Sequence, residues 1–160
     1  MLNIRPATPN DIPEILKLIR ELAEYEKAPE QAVATAENLK RDGFSSNPKF
    51  LVLIAEWDGE PAGFALFFYT YSTWRGQPTL FLEDLFVRPR FRKRGIGKAL
   101  LVHLANLALQ EYCGRFEWHV LDWNTPAIAF YQSLGAVLMQ EWRTMRVADE
   151  ALAKLAAKTS

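Results

Sequence analysis

Residues 82 to 98 read Leu-Glu-Asp-Leu-Phe-Val-Arg-Pro-Arg-Phe-Arg-Lys-Arg-Gly-Ile-Gly-Lys. From Arg88 to Lys98 six bases (Arg88, Arg90, Arg92, Lys93, Arg94 and Lys98) fall with no acid among them. An apolar strand, Thr79–Val87, runs into the basic turn, and the turn runs into a helix. The first amides of a helix lack intrahelical acceptors and form a natural anion site. The helix dipole adds roughly 0.3–1 kcal/mol for a nearby negative charge. Gly95 and Gly97 let the backbone come within reach of phosphate oxygens. Without those glycines the run would read as a solvated basic loop. The phosphate is not that of a Walker loop, which needs glycine where Arg92 stands and Ser or Thr where Ala99 stands. Nor is it a dinucleotide fingerprint, which needs a small residue in place of Leu100. The remaining pattern is Arg92-x-x-Gly95-x-Gly97 opening an amphipathic helix.

Upstream of the turn, Glu83 and Asp84 sit side by side in an otherwise apolar strand. Burying a carboxylate is expensive, and neighbours on a strand point to opposite faces. One of the two is therefore expected to face a ligand; the alternative is a pair of salt-bridged strand acids. From Asp11 to Glu37 there are seven acids against three bases, so one region suits an anion and another a cation. Lys+Arg and Asp+Glu number 19 each, for a net charge of zero, which argues against bulk polyanion binding and nucleic-acid partners. His103 and His119 have no Cys, His or acid partner at ligand spacing, so no metal site is read. No Ser-His-Asp set is visible. The single cysteine, Cys113, excludes an internal disulfide and fits a reducing compartment.

These groups must be positioned by a chain of 160 residues, 49% apolar and with twenty aromatics, which is one domain by length. Leu2–Arg5 reads as a strand. Thr8 and Pro9 start a helix with Ile12, Ile15, Leu16, Ile19, Leu22 and Ala23 on one face. A short helix covers Thr35–Asp42, and Phe50–Trp57 and Pro61–Tyr71 flank an Asp58-Gly59 hairpin turn. Gly95–Tyr112 reads as a helix, Arg115–Leu121 as a strand, and Asn124 caps a helix to Leu134. Trp142–Val147 alternates as a last strand, and Asp149–Lys158 forms a terminal helix. Antiparallel strands followed by a β-α-β unit predict an α/β (α+β) fold with helices on both faces of a mixed sheet. No apolar run reaches 18 residues and no signal-peptide layout opens the chain, so a soluble, cytoplasmic protein without membrane contact is expected.

Arg92-x-x-Gly95-x-Gly97 after the strand Leu82–Val87 resembles the acetyl-coenzyme A loop of the Gcn5-related N-acetyltransferases. Further segments sit in matching order: Arg5-Pro6-Ala7-Thr8, Ile19-Arg20-Glu21-Leu22-Ala23-x-Tyr25-Glu26, Asp42-Gly43-Phe44, Gly63-Phe64-Ala65, Thr70-Tyr71 and Asn124-x-Pro126-x-Ile128-x-Phe130-Tyr131. Together they are similar to the diamine (spermidine/spermine) and thialysine N-acetyltransferase branch, over residues 4 to 147. The resemblance implies a mostly antiparallel sheet of about six to seven strands with a splayed central parallel pair. It implies acetyl-coenzyme A as cofactor, with its diphosphate on the amides of Phe91 to Lys98, that is Phe91, Arg92, Lys93, Arg94, Gly95, Ile96, Gly97 and Lys98. The pantetheine arm would pair with the strand at Leu85, Phe86 and Val87 and touch Asn124, although Asn124 also reads as a plain helix cap. Tyr131 is implied as general acid and Glu83 as base. Glu26, Tyr25, Trp74, Glu83, Asp84, Glu141 and Trp142 are implied around a small amine, and a homodimer is expected through the C-terminal strand region. The sequence departs from the polyamine enzymes at Ser72, where they carry an acid, and near Ser133 and Leu134, where they carry arginines. It is also shorter between Gly135 and Trp142. A shorter diamine, a lysine-like amino acid or thialysine therefore stays open as acceptor. Alternative readings are a protein-lysine or N-terminal acetyltransferase and a non-catalytic acyl-coenzyme A sensor of the same fold.

Overall fold

A computed structural model describes residues 1–159. The chain divides into two units, Met1–Leu121 and Asp122–Ser160. The first holds strand β1 (Leu2–Pro6), helices α1 (Ile12–Tyr25) and α2 (Ala36–Gly43), strands β2 (Leu51–Trp57), β3 (Glu60–Ser72) and β4 (Gln77–Val87), helix α3 (Ile96–Gln110) and strand β5 (Arg115–Trp118). The second holds helices α4 (Thr125–Ser133) and α5 (Asp149–Ala156). The architecture is mixed α/β. The strands lie in the order β1-β2-β3-β4-β5; the first three pairings are antiparallel and β4–β5 is parallel.

The local signals act as chemistry requires. Asp11 turns the chain into α1: its carboxylate accepts from the Thr8 amide at 2.7 Å and from both Arg5 Nη atoms at 2.9 Å. The Arg5 hydrogen bonds hold the Asp11 carboxyl down at about 2, against its burial. Thr35 and Asn38 close a reciprocal cap on α2. Asp58 and Gly59 both take positive φ, 50° and 85°, which a tight two-residue hairpin demands. The core on one side of the sheet joins Ile12, Ile15 and Leu18 of α1 and Leu39 of α2 to Val52, Ile54, Phe64, Leu66 and Phe86. The alternate residues Leu53, Ala55, Ala65 and Phe67 are buried as well. Sheets covered on both faces need such unbroken apolar runs.

The sheet of the described residues has five strands, not six or seven. Arg115–Leu121 pairs only as far as Trp118. Residues 142 to 147 form no strand. Their alternation is real, but a strand exists only where a neighbour completes its ladder and covers a face. Here Trp142 and Met145 are 66% and 93% exposed.

Candidate active site

The register between β3 and β4 slips at one point. Ala65 faces Leu85 and Leu66 faces Asp84, but Phe67 faces Leu82. Glu83 is the extra residue, a bulge that breaks the alternation of its strand. Glu83 and Asp84 consequently do not point to opposite faces, as simple alternation predicts. Both line one cavity of about 220 Å³, with Glu26 from the end of α1, Phe81, and His119, Val120 and Leu121 just past β5. The arginine ion pairs among the described residues fall elsewhere, at Arg5, Arg41, Arg88 and Arg90. Burial pushes the Asp84 carboxyl up to about 7, and the charges of Glu83 and Glu26 push it the same way. Burial also raises Glu26, with Glu83 adding to it. A pocket of three carboxylates, none paired to an arginine among the described residues, suits an ammonium group.

Beside this pocket the sheet opens. The parallel ladder of β4 and β5 runs from Thr79↔Arg115 to Leu82↔Trp118 and stops. From there to Val87, β4 pairs with β3 alone. One backbone edge of β4 is thus left for an extended ligand to pair with, as a strand would. Arg92 Nε already holds the Val87 carbonyl at 2.9 Å, which leaves Leu85 as the less encumbered backbone partner.

The basic turn follows. Arg92 N donates to Pro89 O and Ala99 N to Gly95 O; the amides of Lys93 through Lys98, between them, have no backbone acceptor among the described residues. Lys93 and Gly95 take positive φ, 63° and 77°, the alternation that turns successive N–H groups toward one anion. A Cβ at Gly97 would meet nothing nearer than Val87 Cγ2 at 3.9 Å. The fold itself does not require glycine there, whereas an approaching phosphate does. The bases divide in two. Arg88 is spent on structure: it binds Glu14 at 2.6 Å, Glu21 at 2.9 Å and the Pro61 carbonyl at 2.9 Å. Arg90 pairs with Glu60 at 3.0 Å. Arg92 instead lies over the Tyr25 and Phe86 rings, and Arg94 over Trp57 and Phe91. Open amides, unpaired bases and an open strand edge fit the diphosphate and amide-bearing arm of an acyl-coenzyme A.

The model of the acetyltransferase (GNAT) family matches residues 13–136. The chain belongs to that family. GNAT enzymes are acetyltransferases that generally use acetyl-coenzyme A, and this member is accordingly an N-acetyltransferase. It is similar to the thialysine N-epsilon-acetyltransferase of Sus scrofa, 42% identical with 97% of each chain covered. It is also similar to an L-ornithine N5-acetyltransferase of Arabidopsis thaliana, 32% identical over 93% of this chain and 85% of the relative. Among solved structures, an integron cassette protein from the mobile metagenome of V. cholerae superposes with a TM-score of 0.83, at 27% identity and 98% coverage of both chains.

The other residues expected in the GNAT site are placed as follows. Asn124 caps α4, accepting from the Ala127 amide at 3.4 Å. Tyr131 lies on α4 with its ring 5.6 Å from that of Phe130. Glu141 and Trp142 are in the irregular stretch after α4. Trp74 stands at the tip of the β3–β4 hairpin, 83% exposed and outside the lining of the acid cavity. Tyr25 faces Arg92. Ser72 is buried, and its hydroxyl accepts from the Arg75 amide at 3.2 Å, which is a turn-forming role. Sequence reasoning missed His119. Its ring meets Phe81 edge-on at 5.0 Å on the cavity wall. The only hint was its position at the end of an apolar strand, and that hint needs the strand's true end to be read.

Proposed function

We propose that this N-acetyltransferase acetylates a primary amine of a small diamine or polyamine or of a lysine-like amino acid such as thialysine. The observation that carries this reading is the acid cavity directly beside the open edge of β4. Acetyl-coenzyme A supplies the acetyl group as a thioester. The amides and side chains of Arg92, Lys93, Arg94, Gly95, Ile96, Gly97 and Lys98 hold its diphosphate, and the backbone of Leu85, Phe86 and Val87 takes its arm, with Asn124 as a further contact.

An alkyl ammonium has a pKa of about 10.4, so baring its nitrogen at pH 7 costs roughly 4–5 kcal/mol. Glu26 and Asp84 attract and orient the cation. Glu83, the outermost of the three carboxylates, takes the proton directly or through water. Tyr131 returns a proton to the departing sulfur, since tyrosine phenols as a class are about as acidic as the thiol that leaves. Tyr25, Trp74, Glu141 and Trp142 are proposed as further residues for the acceptor, although none of them lines the acid cavity. The small cavity favours a free amine over a protein lysine or N-terminus. A mere acyl-coenzyme A sensor has no use for three carboxylates held close at a cost.

We infer further that the protein works in the cytoplasm as a homodimer. Cys113 is a free thiol. No helix among the described residues is long and apolar enough to cross a membrane. Neither α4 nor α5 buries a residue, and Val137, Met139, Leu152 and Leu155 are exposed. Such surface is commonly covered by a partner.

The deciding experiment measures thiol release from acetyl-coenzyme A with putrescine, spermidine, lysine, thialysine and lysine peptides. Turnover with thialysine or a diamine above that with peptides is expected. Best turnover with peptides would move the assignment to proteins. Tight coenzyme A binding with no turnover would make the chain a sensor.

A further inference from the structure

The anion-binding turn and the acid cavity are joined by one arginine and one aromatic ring. Arg92 leaves the turn with Nε on the Val87 carbonyl at 2.9 Å. Its guanidinium carbon is 5.1 Å from the centre of the Tyr25 ring and 5.6 Å from that of Phe86. Phe86 is buried in the core and gives a fixed surface. Tyr25 is the last residue of α1, and Glu26 caps that helix by donating its amide to Leu22 O at 2.9 Å. Lys27 then takes φ 63° and ends the turn. One turn of backbone therefore presents Tyr25 to Arg92 and Glu26 to the cavity.

A guanidinium is planar. Its edge donates to phosphate oxygens while its face stacks on a ring. A diphosphate bound on the edge of Arg92 would fix that plane, and the plane would hold the ring of Tyr25. Without the diphosphate, one carbonyl bond and two ring contacts leave that plane freer to tilt.

We propose that Tyr25 is a positioning residue: through Arg92 it couples diphosphate binding at the turn to amine binding beside Glu26, so that the amine binds more tightly once coenzyme A is in place. The inference rests on the acetyl-coenzyme A and amine sites assigned above. It differs from direct contact between Tyr25 and the amine, which would act equally with and without the cofactor. Because the coupling is a binding free energy it is reciprocal.

The test is titration calorimetry of thialysine into the full chain, alone and saturated with coenzyme A, for the wild type, Tyr25→Phe, Tyr25→Leu and Arg92→Lys. The wild type is expected to bind thialysine about 5- to 20-fold more tightly when coenzyme A is bound, within the usual range of such couplings. Tyr25→Phe keeps the ring and the coupling. Tyr25→Leu and Arg92→Lys lose the stack, and the factor falls below about 2-fold. Thialysine must strengthen coenzyme A binding by the same factor in each protein. A Tyr25→Leu protein that binds coenzyme A yet keeps the wild-type factor overturns the inference, as does an equal loss of thialysine affinity in both states. A wild type that binds both ligands independently also overturns it while leaving the assigned sites intact. Failure to bind coenzyme A, or thialysine in its presence, would instead overturn the site assignment beneath it.

Discussion

The acid cavity and the basic turn are both clusters of like charge, and the protein treats them differently. In the turn, Arg88 and Arg90 are tied to acids of the first unit, and only the remaining bases face outward or lie over rings. In the cavity, Glu26, Glu83 and Asp84 share a wall with no arginine paired to them among the described residues, and Asp84 is driven up to about 7 by burial. A fold does not hold such charge close for its own sake, since doing so costs stability. A dense run of charge is thus partly scaffold, whereas a sparse but uncompensated group marks a ligand site.

The largest effect that would break this contrast concerns Asp84. Its carboxyl sits at 3.8 when unfolded and near 7 when folded. Between those values the native state keeps a proton that the unfolded state has lost. Stability therefore falls as pH rises through this window, by up to about 4 kcal/mol once both states are ionised. Asp84→Asn should flatten the decline in melting temperature between pH 5 and pH 8. An unchanged slope would mean that the cavity is compensated after all.

In the proposed mechanism neither cluster protonates the leaving thiolate, so Tyr131→Phe should lower kcat by about 10²-fold while acetyl-coenzyme A affinity holds. An unaltered kcat would remove Tyr131 from the chemistry. Arg88→Met leaves Glu14 and Glu21 without their cation. It should cost about 2 kcal/mol in urea denaturation, less than a fully buried pair because both acids reach solvent. Its coenzyme A affinity should be untouched, and a large loss there would make Arg88 a phosphate ligand.

Gly97→Leu should weaken coenzyme A roughly tenfold, about 1.4 kcal/mol, in direct titration. The same change should leave the melting temperature level or raise it, because glycine within a helix is the poorer choice. Lost stability with normal binding would show the glycine to be structural. The smallest effect belongs to Arg90→Ala, whose exposed pair with Glu60 should shift stability by no more than about 0.5 kcal/mol.

Much of the fold could be read locally. Thr8 and Asp11, Thr35 and Asn38, Asp58-Gly59 and Asn124 all act within a few residues of themselves. The turn at Arg92–Lys98 was equally legible, because its amides are freed by where a helix starts. The shared face of Glu83 and Asp84 was not, since alternation is a property of a regular strand and the bulge exists only against β3. The strand expected at residues 142 to 147 failed for a related reason. Alternation states which face is apolar, not whether a neighbour lies alongside to pair with it.

From the amino-acid order alone came the strand-turn-helix around Gly95 and Gly97, the helix caps, the apolar faces and the family resemblance they carry. Each depends on backbone preference and spacing within a few turns of chain. Tertiary structure decided which charges remained available: Arg88 withdrawn by Glu14 and Glu21, Glu26 brought to Glu83 and Asp84 by the end of α1, and His119 set on the same wall by the early stop of β5. Those outcomes are set by register and by contacts between residues far apart in the chain, and no short-range pattern encodes them.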